Sequence, residues 1–277
     1  MRKATFPYLI WIFIFTIVPL FLVLYFAFTT GDSQNFSTFQ FSLENFKRFL
    51  DPVYINVLIR SIRLAFVSTI LCLIVGFPIA YIISREKPNR QNLMILMFVI
   101  PMWMNFLLRT YAWLTLLGRN GFVNNLLTRM GFQALDLMYN DKAVLLGMVY
   151  NFLPFMVLPI YSVLTKIDKN LLEAAEDLGA NRATTFRKVI LPLSLPGVVT
   201  GTTMVFIPAM STFVISSLLG GNKSNLIGNL IERQFRWTGD WHFGSSMSII
   251  LMVFILLTMA ITNKFDKEKE GRGGGLW

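Results

Sequence analysis

The sequence predicts an all-α membrane protein with six transmembrane helices, and three observations carry that prediction. Apolar runs of roughly 20 residues, the length a helix needs to cross the hydrocarbon core, recur six times. Hydrophobic residues make up 55 % of the 277 and charged residues only 14 %, too apolar a balance for a soluble domain. The net charge of +10 comes largely from basic residues between the apolar runs. That pattern orients a chain in a membrane and argues against a nucleic-acid partner.

The first span covers residues 6–29, behind Arg2 and Lys3. A signal peptide has a shorter apolar core closed by small residues; this run continues through Leu20, Leu24 and Phe28, so it reads as an uncleaved span. Gly31 to Arg63 reads as a polar loop with an amphipathic patch from Leu43 to Leu50, ending at Asp51-Pro52. The second span, 64–84, holds Cys72 as a small apolar residue and is bent near its end by Gly76 and Pro78. A basic loop, Arg85 to Arg90, leads to the third span, 93–117, with Pro101 inside and Arg109 in its second half. A short amphipathic stretch, Phe122 to Met130, follows. The fourth span, 143–164, is interrupted by Pro154 and Pro159. The fifth, 196–219, contains Pro208 and opens on Gly197-Val-Val-Thr-Gly201, a spacing that permits close helix packing. The sixth is 243–262; a charged tail follows, and its glycine-rich end, 271–277, reads as disordered.

The whole chain, 1–277, reads as one membrane domain. Six spans place both termini on one side. If that side is the cytoplasm, its segments hold Arg2, Lys3, Arg85, Lys87, Arg90, the cluster from Lys166 to Lys188 and the cluster from Lys264 to Arg272. These are more than half of the 25 basic residues, in shorter segments than the outer ones, as the positive-inside rule requires.

One inner segment, 165–192, is polar but patterned. Asn170 is placed to cap a helix, with Glu173 three residues on to complete a capping box. Leu171, Ala174, Ala175 and Leu178 share one helical face; Glu173, Glu176 and Asp177 lie off it. Gly179 sits where a left-handed C-cap is wanted. Asn181 is placed to start a second helix carrying Arg182, Phe186, Arg187, Lys188, Val189 and Ile190, which Pro192 is expected to stop.

At these residues the chain resembles the permease subunits of ABC importers. Glu173-Ala174-Ala175, Gly179, Val189, Leu191 and Pro192 match the spacing of their EAA loop, with Val189 in place of the usual isoleucine. The resemblance implies a type I ABC-importer permease fold, in which this loop is the cytoplasmic coupling helix that docks on an ATPase subunit. Glu173, Ala174, Ala175, Gly179, Leu191 and Pro192 are then the ATPase-coupling residues. Looser runs are similar to the permeases of spermidine/putrescine importers: Leu50 to Tyr54, Pro101 to Trp103, Leu108 to Tyr111, Leu153 to Met156, Pro159 to Tyr161, Leu226 to Asn229, and Asp240 to Gly244. They imply a heterodimer with a second permease subunit, two ATPase subunits, an extracytoplasmic polyamine-binding protein and a place in the bacterial cytoplasmic membrane. Permeases for an organic cation, amino acid or oxyanion partly share these runs. A non-transport scaffold would need no EAA spacing.

The chemistry is that of a path rather than a reaction. The chain has one histidine, His242 at a span edge, and one cysteine, which leaves no Ser-His-Asp set or metal site to be expected, and so no catalytic residues. It has no G-x-x-x-x-G-K-[ST], so no cofactor is expected in this chain and ATP and magnesium are expected on the partner ATPase. No Asp or Glu lies deep in a span, which argues against a proton relay. Trp103, Tyr111, Trp113, Tyr150 and Phe213, near one end of spans three to five, form a candidate aromatic path for ammonium groups. Their plain alternative is a place in an interfacial belt or against lipid. Arg109 is the one cation at possible membrane depth: a functional candidate, or a side chain that snorkels or pairs with Asp136 or Asp141.

Overall fold

The computed structural model describes residues 6–31, 39–221 and 224–273. Five helices are long and apolar enough to cross a membrane, or six if one bent pair counts as a span. The described residues fall into two compact units, one up to Arg60 with Leu226–Thr258, the other Ser61–Asn225 with the residues from Met259.

In the first unit, helix α1 (Tyr8–Ala27) passes through one π-helical turn, Phe13–Ile17. Beyond it, strand β1 (Thr29–Thr30) pairs antiparallel with β2 (Gln40–Phe41), Thr29 opposite Phe41. Helix α2 (Glu44–Phe49) follows, and the expected polar loop ends early. Helix α3 (Pro52–Arg85) starts at Pro52 rather than at residue 64. The Asp51 carboxylate accepts from the Val53 amide (2.9 Å), and Pro52 suits a first helical position because the amide it lacks would have no partner there. At 34 residues the helix is about 50 Å long, well beyond the hydrocarbon thickness.

His242, at a span edge in the sequence, is buried within the chain. Its Nδ1 lies 3.2 Å from the Phe26 carbonyl and 3.1 Å from the Thr29 hydroxyl, which itself donates to the Tyr25 carbonyl. A protonated Nδ1 donating to Phe26 satisfies this network, and the rings of Phe26 and Phe39 meet the imidazole edge-on. Nearby, the Arg48 guanidinium pairs with Asp240 at 2.8 Å and stacks over the Phe243 ring at 4.0 Å. Partial burial works against its charge, but Asp240 holds its pKa above the ordinary value.

In the second unit the third span is not one rod. Helix α4 (Pro88–Trp103) and helix α5 (Phe106–Leu117) are separated by Met104 and Asn105; α4 and Phe106–Arg129, which includes helix α6 (Phe122–Arg129), are bent by 92°. Pro101 withholds an amide from the Met97 carbonyl, Met104 turns extended, and the Asn105 side chain caps α5 by accepting from the Leu107 amide at 2.8 Å. Helix α7 (Asp141–Leu164) instead runs unbroken through Pro154 and Pro159, capped by Asn140.

Helix α8 (Lys169–Asp177) lies in the polar segment, and helix α9 (Arg182–Ser211) follows. Pro192 does not stop it. A π-helical turn, Phe186–Ile190, precedes Leu191, and Pro192 enters the next helical stretch at its first turn, where a missing amide is tolerated. The fifth span therefore begins well before residue 196. It also breaks early: Pro208 lacks an amide, Ser211 bonds back to the Ile207 carbonyl, and Thr212 is extended.

Helices α7 and α9 pack along each other, and the glycine spacing explains how. A Cβ on Gly197 would meet the Pro159 carbonyl at 2.9 Å, and one on Gly201 the Met156 sulfur at 2.9 Å. Met148, Met156, Val157, Ile160 and Met210 fill the buried seam, and Cys72 is buried as well. Helix α10 (Ile227–Arg233) and helix α11 (Trp241–Gly273) complete the chain, so helix persists through the start of the glycine-rich end; residues 274–277 lie outside the described residues.

Candidate functional site

Helix α8 is short and held at both ends. Its N-cap is Asp168, not Asn170: the Asp168 carboxylate accepts from the Asn170 amide at 3.0 Å. An aspartate two residues upstream of the chosen cap was the signal for this in the sequence. At the other end Gly179 is left-handed, with φ +77°. The Ala180 amide donates to the Ala175 carbonyl (3.0 Å) and the Gly179 amide to the Glu176 carbonyl (2.8 Å). This pair of bonds is a Schellman motif. Asn181 then caps the following helix by accepting from the Thr184 amide, as its position predicted.

Anchoring comes from residues the apolar pattern did not single out. Leu172 is the buried residue of α8. Phe186 sets its ring edge-on against Phe77 and Tyr81 of α3, both at 5.8 Å. Ile190 is buried beside them in the loop. The signal for Phe186 was an aromatic in a charged run, where a ring has to pack on something.

The consequence is an outward-facing stripe. Leu171 is 50 % exposed and Leu178 89 % exposed, with Ala174 exposed and Ala175 half-buried between them. Glu173, Glu176 and Asp177 are exposed around it, and so are Leu191 and Pro192 at the start of the next stretch. The capped helix thus presents an exposed apolar face of two large leucines with two alanines between them. Behind it lies a cavity of about 330 Å³ lined by Tyr81, Arg85, Gln91, Lys169, Leu172 and Ile190, among others.

The aromatic candidates are not one cluster. Trp113 and Tyr150 meet edge-on at 5.3 Å. Trp103, at the end of α4, is 78 % exposed, and Tyr111, on α5, is 50 % exposed. Phe213 sits in the break after α9, 38 % exposed. The bend in the third span separates Trp103 from Tyr111 and Trp113, which the sequence placed on one helix.

Arg109 pairs with neither Asp136 nor Asp141, nor with any other acid among the described residues. Asp141 instead accepts from the Ser224 hydroxyl at 2.7 Å and faces Arg63 at 3.5 Å. Arg109 lines a cavity of about 180 Å³ with Met97, Phe98, Pro101, Tyr150, Leu153 and Pro154. Its Nε is buried and makes no hydrogen bond.

Among proteins of known identity, the chain is 39 % identical over 259 residues to a spermidine/putrescine transport system permease protein of Haemophilus influenzae, PotB. The match spans 93 % of this chain and 91 % of that one. It is 38 % identical to PotB of Escherichia coli K12, over 91 % of this chain and 92 % of the relative. A bacterial transporter that imports the acidic polysaccharide alginate contains a chain of the same fold, with TM-score 0.79, 15 % identity and coverage of 95 % and 94 %. A chain of the inward-facing MetNI methionine transporter aligns with TM-score 0.59 at 17 % identity, over 78 % of this chain and 95 % of that one. The model of the binding-protein-dependent transport system inner membrane component matches residues 2–270. With its apolar helices and its exposed, twice-capped cross-helix, this chain belongs to that family and is a multi-pass permease of the bacterial inner membrane.

Proposed function

We propose that this chain is the translocation subunit of an ATP-driven importer of spermidine and putrescine. The observation that carries the reading is identity near 39 % to the PotB permeases across nearly the whole of both chains. It works with a second permease, two ATPase subunits that bind ATP and magnesium, and an extracytoplasmic polyamine-binding protein; it carries no catalytic residue and no cofactor of its own. Both termini and the 165–192 loop face the cytoplasm, consistent with the basic residues of that loop.

The mechanism follows from what α8 presents. Its stripe, with Gly179 at its end and Leu191-Pro192 behind, seats in the ATPase. When ATP closes the ATPase dimer, the two coupling helices approach each other. The load passes through Leu172, Phe186 and Ile190 into α3 and α9, whose packing on α7 carries it into the span bundle. The spans open outward to receive substrate, and hydrolysis resets them. The spans lack acids, so polyamine charge is met in this subunit by aromatic faces, Trp103, Tyr111, Trp113, Tyr150 and Phe213, and otherwise by the partner permease.

The fold is shared by transporters of alginate and methionine, so it does not choose the solute. Uptake does. Radiolabelled spermidine is supplied to vesicles carrying the whole complex, with and without this chain, against putrescine, arginine and sulfate. Uptake that requires this chain and yields only to putrescine is expected. Block by arginine or sulfate instead would reassign the substrate.

A further inference from the structure

Among the described residues, Arg109 has no ion-pair partner. It is on α5, one turn beyond the sharp bend of the third span. Its Nε is buried and unbonded, and among the described residues no carboxylate lies within 4 Å of its guanidinium. The cavity it lines is otherwise made of Met97, Phe98, Pro101, Tyr150, Leu153 and Pro154. Two of those residues, Pro101 and Pro154, withhold amides from the carbonyls of Met97 and Tyr150, which line the same cavity. Arg109 is half-buried, with its Nε enclosed, and carbonyl oxygens cannot neutralise a guanidinium, so a charge at membrane depth with no acid beside it favours a counter-charge from another chain.

Three facts narrow what supplies the missing anion. The bend leaves Trp103, Met104, Asn105, Leu107 and Leu108 exposed around non-helical backbone. Such backbone at membrane depth must be covered by protein or face water, which argues against lipid on this face. At about 180 Å³ the cavity holds a side chain, not a lipid headgroup with its glycerol. Finally, a second copy of this chain is poorly suited to answer the charge, because its apolar spanning stretches, the last of them Trp241–Thr262, hold no Asp or Glu except Asp141 at the first residue of α7, already engaged by Ser224 and Arg63.

We infer that a carboxylate on a membrane helix of the second, non-identical permease subunit enters this cavity and forms a bidentate ion pair with Arg109. The pair fixes that subunit against the broken third span, and it makes the pairing heteromeric by charge, since two copies of this chain would place two unpaired arginines in the membrane. The inference rests on the heterodimer in the proposed function. Arg109 is a positioning residue, and the polyamine need not touch it.

The test uses the complete importer, with a tag on the second permease. Arg109→Gln is expected to lower the amount of this chain recovered with that tag at least about tenfold, and Arg109→Lys to restore much of it. Each membrane-embedded Asp and Glu of the second permease is then changed to Arg, alone and with Arg109→Glu. One acid-to-Arg variant should fail alone and recover at least about tenfold in assembly when combined with Arg109→Glu, which plain loss of packing would not produce. Recovery with no acid, or full assembly by Arg109→Gln, overturns the ion pair while leaving the importer reading intact. A functional importer purified with this chain as its only permease overturns both.

Discussion

The 165–192 loop and the third span are built on opposite plans. Everything that shapes α8 is close in sequence: Asp168 caps it, Gly179 and Ala180 close it, and Asn181 starts the next helix. Its exposed stripe is what remains after Leu172 turns inward. In the third span, a run that reads as one rod is folded over by 92°, and it leaves several large apolar side chains exposed beside a half-buried arginine. The first region is closed by its own caps and presents an exposed face. The second is opened by a break in its helix.

That contrast is tested hardest at the stripe. Replacing Ala174 and Ala175 by tryptophan should leave insertion intact but cost about thirtyfold or more in recovered ATPase, the scale of a central interface residue, and abolish uptake. Normal uptake would remove the coupling role. Gly179 refines the point: nothing lies within 4 Å of a Cβ there, so Gly179→Ala strains the backbone by only about 1 kcal/mol. Wild-type melting with lost transport would place the effect in the partner's groove; a melting point lowered by many degrees would place it in this chain.

The seam between α7 and α9 should respond next. Gly201→Leu pushes against Met156 and is expected to destabilise the subunit by about 1–3 kcal/mol, read as a lower melting temperature in detergent. Unchanged melting would mean that the two helices do not depend on this close approach.

Smaller still is the aromatic path. Trp103→Ala and Phe213→Ala are each expected to raise the KM for spermidine by about fivefold, one cation–π contact each, with kcat little changed. If both leave uptake untouched in assembled complexes, those rings belong to packing. The smallest effect is Asp240→Asn. Its partner Arg48 keeps a side chain 48 % exposed, so salt screens the pair, and a loss below about 1 kcal/mol is expected, fading as salt rises. A larger loss would mean that the Phe243 stack depends on the ion pair.

What could be read from the residues depended on how locally each feature is decided. The glycine cap and the Asn181 start were legible because a left-handed residue and an N-cap are problems of one or two residues. Asn170 was the wrong cap because Asp168 and Asn170 are both good ones, and only the bonding separates them. The four-residue stripe was correct as a face, and only the structure shows that this face is largely exposed. Period alone says which side chains lie together, not whether this protein or another one covers them.

The apolar runs by themselves determined that the chain lies in a membrane as helices, because hydrocarbon leaves unpaired backbone almost no other choice, but not where each helix begins and ends. They determined the close packing of α7 on α9 as well, since two glycines four apart have little use except proximity. Tertiary structure alone decided that Pro101 contributes to a bend while Pro154 and Pro159 do not, that Pro192 begins a stretch rather than ending one, and that His242 is enclosed. A proline deletes one hydrogen bond wherever it stands, and whether the helix yields depends on what the neighbours offer in its place. The solitary charge of Arg109 was visible in the sequence. That no described carboxylate pairs with it could be learned only once the chain had folded and Asp141 was found on Ser224 and Arg63.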